Sequence, residues 1–320
     1  MAEGQQHLEF ERPIVELEKK ISDMKDFSVS GSIEFDSEID SLQKKLTRLR
    51  REVFSGLTRW QRVQLSRHPK RPHTLDYIKL ITTDFIQLHG DRGYADDKAM
   101  VGGFARIDDH PIMVVGQQKG RDTKQKLIRN FGMAHPEGYR KARRLFYLAE
   151  KFGLPIVIFV DTPGAFPGIG AEERGQAEAI AKNIQVMFQI KVPIVVVILG
   201  EGASGGALGI GVGDRVYILE YAWYSVISPE ACAAILWRDS GKGPEAAEAL
   251  KPTADTLLEL GVVDDIIAEP PSGAHNDPPE AARQVKEKIL AALEELSGKE
   301  TGELLKERLM KYRNMGVCKE

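Results

Sequence analysis

Residues 199–214 read LGEGASGGALGIGVGD, seven glycines in sixteen positions, directly behind the apolar run of 193–199. Glycine loses the most backbone entropy on folding, so such a run calls for a chemical reason. Gly200-x-Gly202-x-x-Gly205 spells the dinucleotide fingerprint, which holds a pyrophosphate on the amides of a helix N-terminus. That use needs a full helix next and an acid about 20 residues on. Here only ALGIGVGD, about two helical turns, precedes the next strand pattern. Gly202-Ala203-Ser204-Gly205-Gly206 also spells the GxSxG nucleophile elbow. Ser204, Asp264 and His275 follow the order serine, acid, histidine, but His275 sits in a loop rich in Pro and Gly, and no HGGG segment offers a second oxyanion donor. Serine in such a turn also serves as a helix cap. Asp161-Thr162-Pro163-Gly164 matches the DxxG pattern of nucleotide switches, yet no GxxxxGK[ST] phosphate loop accompanies it.

What remains is exposed backbone. Two strand ends, at 161–170 and 200–206, each open into a glycine-rich turn followed by a helix start. Amides at a helix start attract negative charge, and two such turns side by side suit an oxyanion. Small residues let a substrate reach the main chain. Backbone donors leave no mark in a sequence except the glycines that expose them.

The elements that must position these turns repeat. PIMVVG (111–116), PIVIFVDTPG (155–164) and PIVVVILGEG (193–202) are apolar on both alternations, so they read as strands buried on both faces. Helical patterns at 136–152 and 172–190 separate them, which predicts an α/β fold with a parallel sheet and helical crossovers. A fourth unit is expected at DRVYILEYAWYSVISPE, with a helix starting near Pro229. Residues 252–267 predict a short helix, a stop at Gly261 and a last strand, followed by a loop at 269–280 and a helical tail. Leu42, Leu46, Leu49, Val53, Leu57, Trp60 and Val63 recur at helical spacing, predicting one long amphipathic helix over 36–67 that rests on the core or on a partner. Its arginines read as a solvated face. His68-Pro69-Lys70-Arg71-Pro72 ends it.

Bulk properties narrow the class. The 320 residues are 42% apolar and 28% charged, with a net charge of −3, an ordinary globular balance that makes no case for nucleic acid or a membrane surface. No run approaches the roughly 20 apolar residues of a membrane span. The start, with Glu3, Glu9 and Glu11, reads as neither a secretory signal nor a transit peptide. Cys232 and Cys318 are far apart and form no metal or disulfide pattern, which suits a reducing cytoplasm.

GQQKGRDTK (116–124), NFGMAHPEGYRKA (130–142), FVDTPGAFPGIGAEERGQ (159–176), GEGASGGALGIGVGD (200–214) and YSVISPE (224–230) resemble the carboxyltransferase α subunits of bacterial-type acetyl-CoA carboxylase. The resemblance runs along nearly the whole chain. It implies a crotonase-like superhelix of ββα repeats, divided into an N-terminal helical region for subunit contact (1–75), a carboxyltransferase core (76–275) and a C-terminal helical tail (276–320). It also implies transfer of a carboxyl group from N-carboxybiotin to acetyl-CoA, giving malonyl-CoA for fatty acid synthesis. Two anions then need stabilising, the biotin ureido oxygen and the thioester enolate oxygen, a task for preorganised backbone donors rather than an ionisable side chain.

Carried over by residue, the amides of Gly205 and Gly206 would form an oxyanion hole on the carboxybiotin side. The turn Gly164-Ala165-Phe166-Pro167-Gly168 would line the same pocket. Lys119, Arg121 and Lys124 are candidates to meet an anionic group of CoA or carboxybiotin, or else to form surface ion pairs; Arg106 is a weaker candidate for the same work. His135 reads as structural, and Glu172, Glu173 and Arg174 as residues that open and brace a helix. No biotinylation site, ATP loop or CxxC zinc ribbon occurs. The family therefore implies a β subunit that carries the zinc and the acetyl-CoA site in an α2β2 assembly, served by a biotin carboxyl carrier protein and a biotin carboxylase, with no covalent cofactor on this chain. Two other readings stay open: a stand-alone crotonase-like enzyme or serine hydrolase using Ser204, and an RNA-binding scaffold using the basic N-terminal helix.

Overall fold

A computed structural model describes residues 7–29 and 36–316; Glu3 and Cys318 lie outside the described residues. One eight-stranded sheet organises the chain: β1 (Thr83–Gln87), β2 (Met100–Ile107), β3 (His110–Gln117), β4 (Ile156–Thr162), β5 (Ile194–Ala203), β6 (Arg215–Leu219), β7 (Trp223–Ser225) and β8 (Asp265–Ile267). The order is β1-β2-β3-β4-β5-β6-β8, with β7 beside the far end of β5. β3, β4, β5, β6 and β8 run parallel, as the repeated Pro-Ile runs predict. Every residue of β4 and β5 is buried, which is why both faces are apolar.

β1 and β2 were not expected. They pair antiparallel, and β2 joins β3 through a tight Asp108-Asp109 turn in which Asp108 takes φ 48. Gly102 and Gly103 look like loop residues but lie inside β2. A side chain at Gly103 would stand 2.0 Å from the Ile86 carbonyl oxygen. The hairpin β2–β3 and the successive strands β6 and β7 each precede a helix, two ββα units in chain order. Within β5, residues 195–198 pair with β6 and residues 201–203 with β7, so one long strand carries two successive neighbours.

The N-terminal helices are α1 (Arg12–Val29), α2 (Asp36–Ser55), α3 (Arg59–Ser66) and α4 (Thr74–Ile81). The single helix expected over 36–67 is therefore broken. The Thr58 hydroxyl accepts from Gln61 N, and the Gln61 side chain accepts from Thr58 N, so a capping box restarts the helix after Gly56. The leucine stripe of α2 packs inside the chain, where Leu46, Leu49, Val53 and Phe54 meet Ile14 and Tyr221. The arginines of this face are partly paired, Arg50 with Glu18 and Arg59 with Glu248.

Helices α5 (Thr123–Ile128), α6 (Pro136–Phe152), α7 (Ile169–Glu173), α8 (Gln176–Met187), α9 (Ser204–Leu208), α10 (Pro229–Trp237), α11 (Gly243–Leu250) and α12 (Ala254–Glu259) fill the crossovers. The helix expected over 172–190 is split at Gly175, which takes φ 81. The tail is α13 (Pro278–Ser297) and α14 (Thr301–Arg313). It is not a loose appendage. Arg308 is 1% exposed; its guanidinium meets Asp214 and the carbonyls of Met187, Ile190 and Val192 at 2.6–3.0 Å. Among the described residues, no helix is long and apolar enough to cross a membrane.

Candidate active site

The carboxyl ends of β3, β4 and β5 meet side by side, and the two glycine turns leave from the last two of them. After β4, Thr162 shapes the first turn. Its hydroxyl accepts from Gly164 N at 3.1 Å and lies 2.7 Å from Gly164 O and 2.8 Å from Gly132 O. Gly164 takes φ 145, a conformation open in practice only to glycine. Phe166 stacks on His135 at 4.1 Å, and its amide donates to Ala134 O. His135 also lies 2.9 Å from the Asn130 amide and donates its backbone N–H to Asp97, so it is built into the support of this turn.

After β5 the chain turns at Ser204, which is exposed and takes φ 59, and enters α9. Gly206 is buried against the first turn. A side chain there would lie 2.4 Å from both Ala165 N and Gly164 C. The two turns therefore touch main chain to main chain, and only hydrogen at Gly206 permits it. Gly205 is different: a methyl group there would stand 3.8 Å from Ile180, an ordinary contact. The first amides of a helix have no intrahelical acceptor, so the Gly205 and Gly206 N–H groups make no bond within α9.

A cavity of about 510 Å³ opens at the same strand ends, with Pro163 of the first turn, Lys119, Arg121, Glu201 and Glu230 in its wall. Its charges are largely matched. Lys119 Nζ lies 2.7 Å from Asp161 and 2.6 Å from Glu201. Arg67 Nε reaches the same Glu201 at 2.6 Å, and its other nitrogens bond Glu230. Burial pushes the Asp161 carboxyl up, but the Lys119 ammonium and the His73 hydrogen bond outweigh it and hold Asp161 well below the usual carboxylate range. Burial disfavours the Lys119 ammonium in turn, and the two acids more than restore it. Lys119 is thus a brace between β3, β4 and β5 rather than a cation waiting for a ligand.

The other candidate cations separate. Arg121 stands at the cavity wall, tied to Asp76 at 2.5 Å. Lys124 is exposed on the first turn of α5, while its neighbour Lys126 reaches the cavity. Arg106 is not brought here. It pairs with Pro111 at the opposite end of β3, six residues before Gln117, about 20 Å at strand rise. It lies 3.8 Å from Asp84. Arg174 caps the end of α7 and ties it to α6 through Glu137, so with Glu172 and Glu173 it closes a helix instead of opening one.

The hydrolase triad does not assemble. Asp264 receives the Val216 amide and pairs with Lys311. It lies level with Val196, eight residues before Ser204 along β5, about 26 Å away at strand rise. His275 stacks on His68 and meets Glu11 at 3.1 Å. Sequence reasoning missed Arg67, His73, Glu201 and Glu230 as one network. Their signal was present, since Glu201 and Glu230 sit inside the quoted motifs, but nothing in the spacing says that they share a cation.

The profile of the family described as acetyl co-enzyme A carboxylase carboxyltransferase-like matches residues 7–316. A protein of Thermus thermophilus called acetyl-coenzyme A carboxylase carboxyl transferase subunit alpha is 57% identical over 313 residues, covering 98% of this chain and 99% of its own. A Vibrio cholerae protein of the same description is 54% identical over 314 residues, 97% of this chain and 98% of its own. Among solved structures, the transcarboxylase 12S core superposes with TM-score 0.56 and 24% identity over 70% of this chain and 41% of that one. A Pseudomonas malonate decarboxylase hetero-tetramer gives TM-score 0.57 and 17% identity over 73% of this chain and 91% of that one. The structural likeness is one of fold, and it is the crotonase-like fold that the sequence motifs imply.

Proposed function

The chain belongs to the acetyl-CoA carboxylase carboxyltransferase family, and we propose that its two glycine turns form the carboxybiotin side of a site completed by a partner subunit. It is the α component of an enzyme that transfers a carboxyl group to acetyl-CoA, giving malonyl-CoA. In this reading N-carboxybiotin releases CO2 beside the thioester. The ureido anion takes a proton from the acetyl methyl, and the enolate attacks CO2. The Gly205 and Gly206 amides hold the ureido oxygen as its charge develops. Fixed dipoles need no reorganisation at that moment, which is where their advantage lies.

The observation that carries the reading is the backbone contact of Gly206 with Gly164 and Ala165. It brings two turns rich in small residues together at strand ends, main chain against main chain. Lys119, Asp161, Glu201 and Arg67 keep those strand ends aligned, and Arg121 stands where an incoming anion would pass. Val226, Ile235, Leu236 and Trp237 are exposed apolar side chains on α10 and the chain before it. They favour a subunit contact beside the cavity, where Ser228 and Glu230 already stand. The β subunit of an α2β2 assembly would bring the acetyl-CoA site and the enolate hole. It would also bring the zinc, as the resemblance of the sequence motifs implies. A carrier protein would deliver the carboxybiotin made by biotin carboxylase, in the cytoplasm. In this reading the chain divides at 1–75, 76–275 and 276–320, with contact to the partner extending to α10.

The test is carboxyl exchange between malonyl-CoA and biocytin, with this chain alone, the partner alone and the two together. Exchange should need both. Gly206→Val, whose side chain would fall on the Gly164–Ala165 main chain and displace the Gly206 amide, should lower exchange about 100-fold or more in a complex that still assembles, the size of a lost oxyanion donor, whereas Gly205→Ala keeps its N–H, has room for the methyl and should stay within about threefold. Activity from this chain alone would sink the shared-site reading.

A further inference from the structure

Gln117 ends β3, is fully buried, and sits beneath both glycine turns. Its side-chain oxygen accepts from Asp161 N at 3.2 Å, and its side-chain nitrogen donates to Gly206 O at 2.7 Å. The amide orientation is fixed by its partners, because an N–H can only donate and a carbonyl can only accept. A second donor converges on the same carbonyl: the Tyr139 hydroxyl, fully buried on α6, lies 3.1 Å from Gly206 O. The Tyr139 ring also packs on Gly209, where a side chain would stand 2.9 Å away, and Asn183 holds the Tyr139 carbonyl. Gly206 O thus has both lone pairs occupied by side chains from other elements, while Gly205 O accepts from Gly209 N.

We infer that Gln117, with Tyr139, is a positioning residue that sets the direction of the Gly205–Gly206 main chain against the Gly164–Ala165 turn. The inference rests on the glycine-turn reading above and deepens it. Glycine allows the close approach but does not define it, since it has the widest conformational freedom of any residue. Something else must hold the peptide plane. A buried amide that reads the end of β4 with one atom and the start of α9 with the other does so. It couples the two turns without touching substrate.

The experiment uses the complete chain with its partner subunit in the exchange assay, comparing Gln117→Glu and Gln117→Leu across pH 6–8. In Gln117→Glu the ionised carboxylate keeps an acceptor for Asp161 N but loses the donor to Gly206 O. Misplacement of a reacting geometry by about 1 Å lowers rates about 100-fold, and that is the loss in kcat expected at pH 8, with KM within about twofold. Burial raises a carboxyl's pKa. As pH falls the protonated acid regains an O–H donor, so kcat should recover toward wild type by about tenfold or more. Gln117→Leu cannot titrate and should stay low in constant ratio to wild type. Variants within about threefold of wild type at every pH, a loss confined to KM, or a Gln117→Glu loss that never recovers would overturn the inference. Failure of the glycine reading looks different: full exchange in Gly206→Val defeats that reading whatever Gln117 does.

Discussion

Gly164 and Gly206 touch across the two turns, yet they are glycines for opposite reasons. Gly164 has nothing within 4 Å of the place a side chain would occupy, but its φ of 145 excludes one. Gly206 takes no left-handed angle, but a side chain would fall on the backbone of Gly164 and Ala165. One position is set by the local chain, the other by the neighbour. The same amino acid therefore answers two separate demands, and only the second joins distant parts of the sequence.

The difference is open to attack in order of size. Gly206→Ala should be the most damaging, lowering stability by about 3 kcal/mol, because a contact at 2.4 Å with main chain cannot be relieved by a rotamer. Gly164→Ala should lose about 2 kcal/mol, from backbone strain alone. Urea unfolding of the two variants measures both, and a larger loss at Gly164 would break the comparison. Acid sensitivity sharpens it from the neighbouring strand end. The Asp161 carboxyl is held below its unfolded value, so its contribution is full above about pH 4 and is lost as pH falls below that. The unfolding midpoint should drop between about pH 4 and pH 2, and Asp161→Asn should flatten that slope. Ser204→Ala is the smallest change. With Asp264 and His275 elsewhere, exchange should stay within about twofold, and a complete loss would return Ser204 to the chemistry.

Much of this was legible in the amino-acid sequence. The three Pro-Ile runs became adjacent parallel strands because apolar residues on both alternations permit burial on both faces. The break at Thr58 was legible too, as Thr58-x-x-Gln61, but a longer hydrophobic stripe concealed it. β2 was harder. Gly102 and Gly103 signal a loop by composition, and only the closeness of Leu145 and Ile86 explains them inside a strand. Gln117 was in plain view within GQQKGRDTK, yet no spacing rule marks an amide that bridges residues 44 and 89 positions away. Lys119 was found as a cation near the site, but not that two acids already claim it. Pairwise partners of this kind are properties of the folded chain.

Arg308 gives the tail a place in time as well as in space. The ribosome delivers this residue 94 positions after Asp214, and among the described residues it is the cation that pairs with that carboxylate. Until then Asp214 holds the Ile194 amide without a countercharge, and the carbonyls of Met187, Ile190 and Val192 wait for the same guanidinium. A buried charge without its partner is strongly unfavourable, so the amino ends of β5 and β6 close only once α14 has been made. A chain cut before α14 would be a body with an open seam, recognisable to quality control by what it fails to cover.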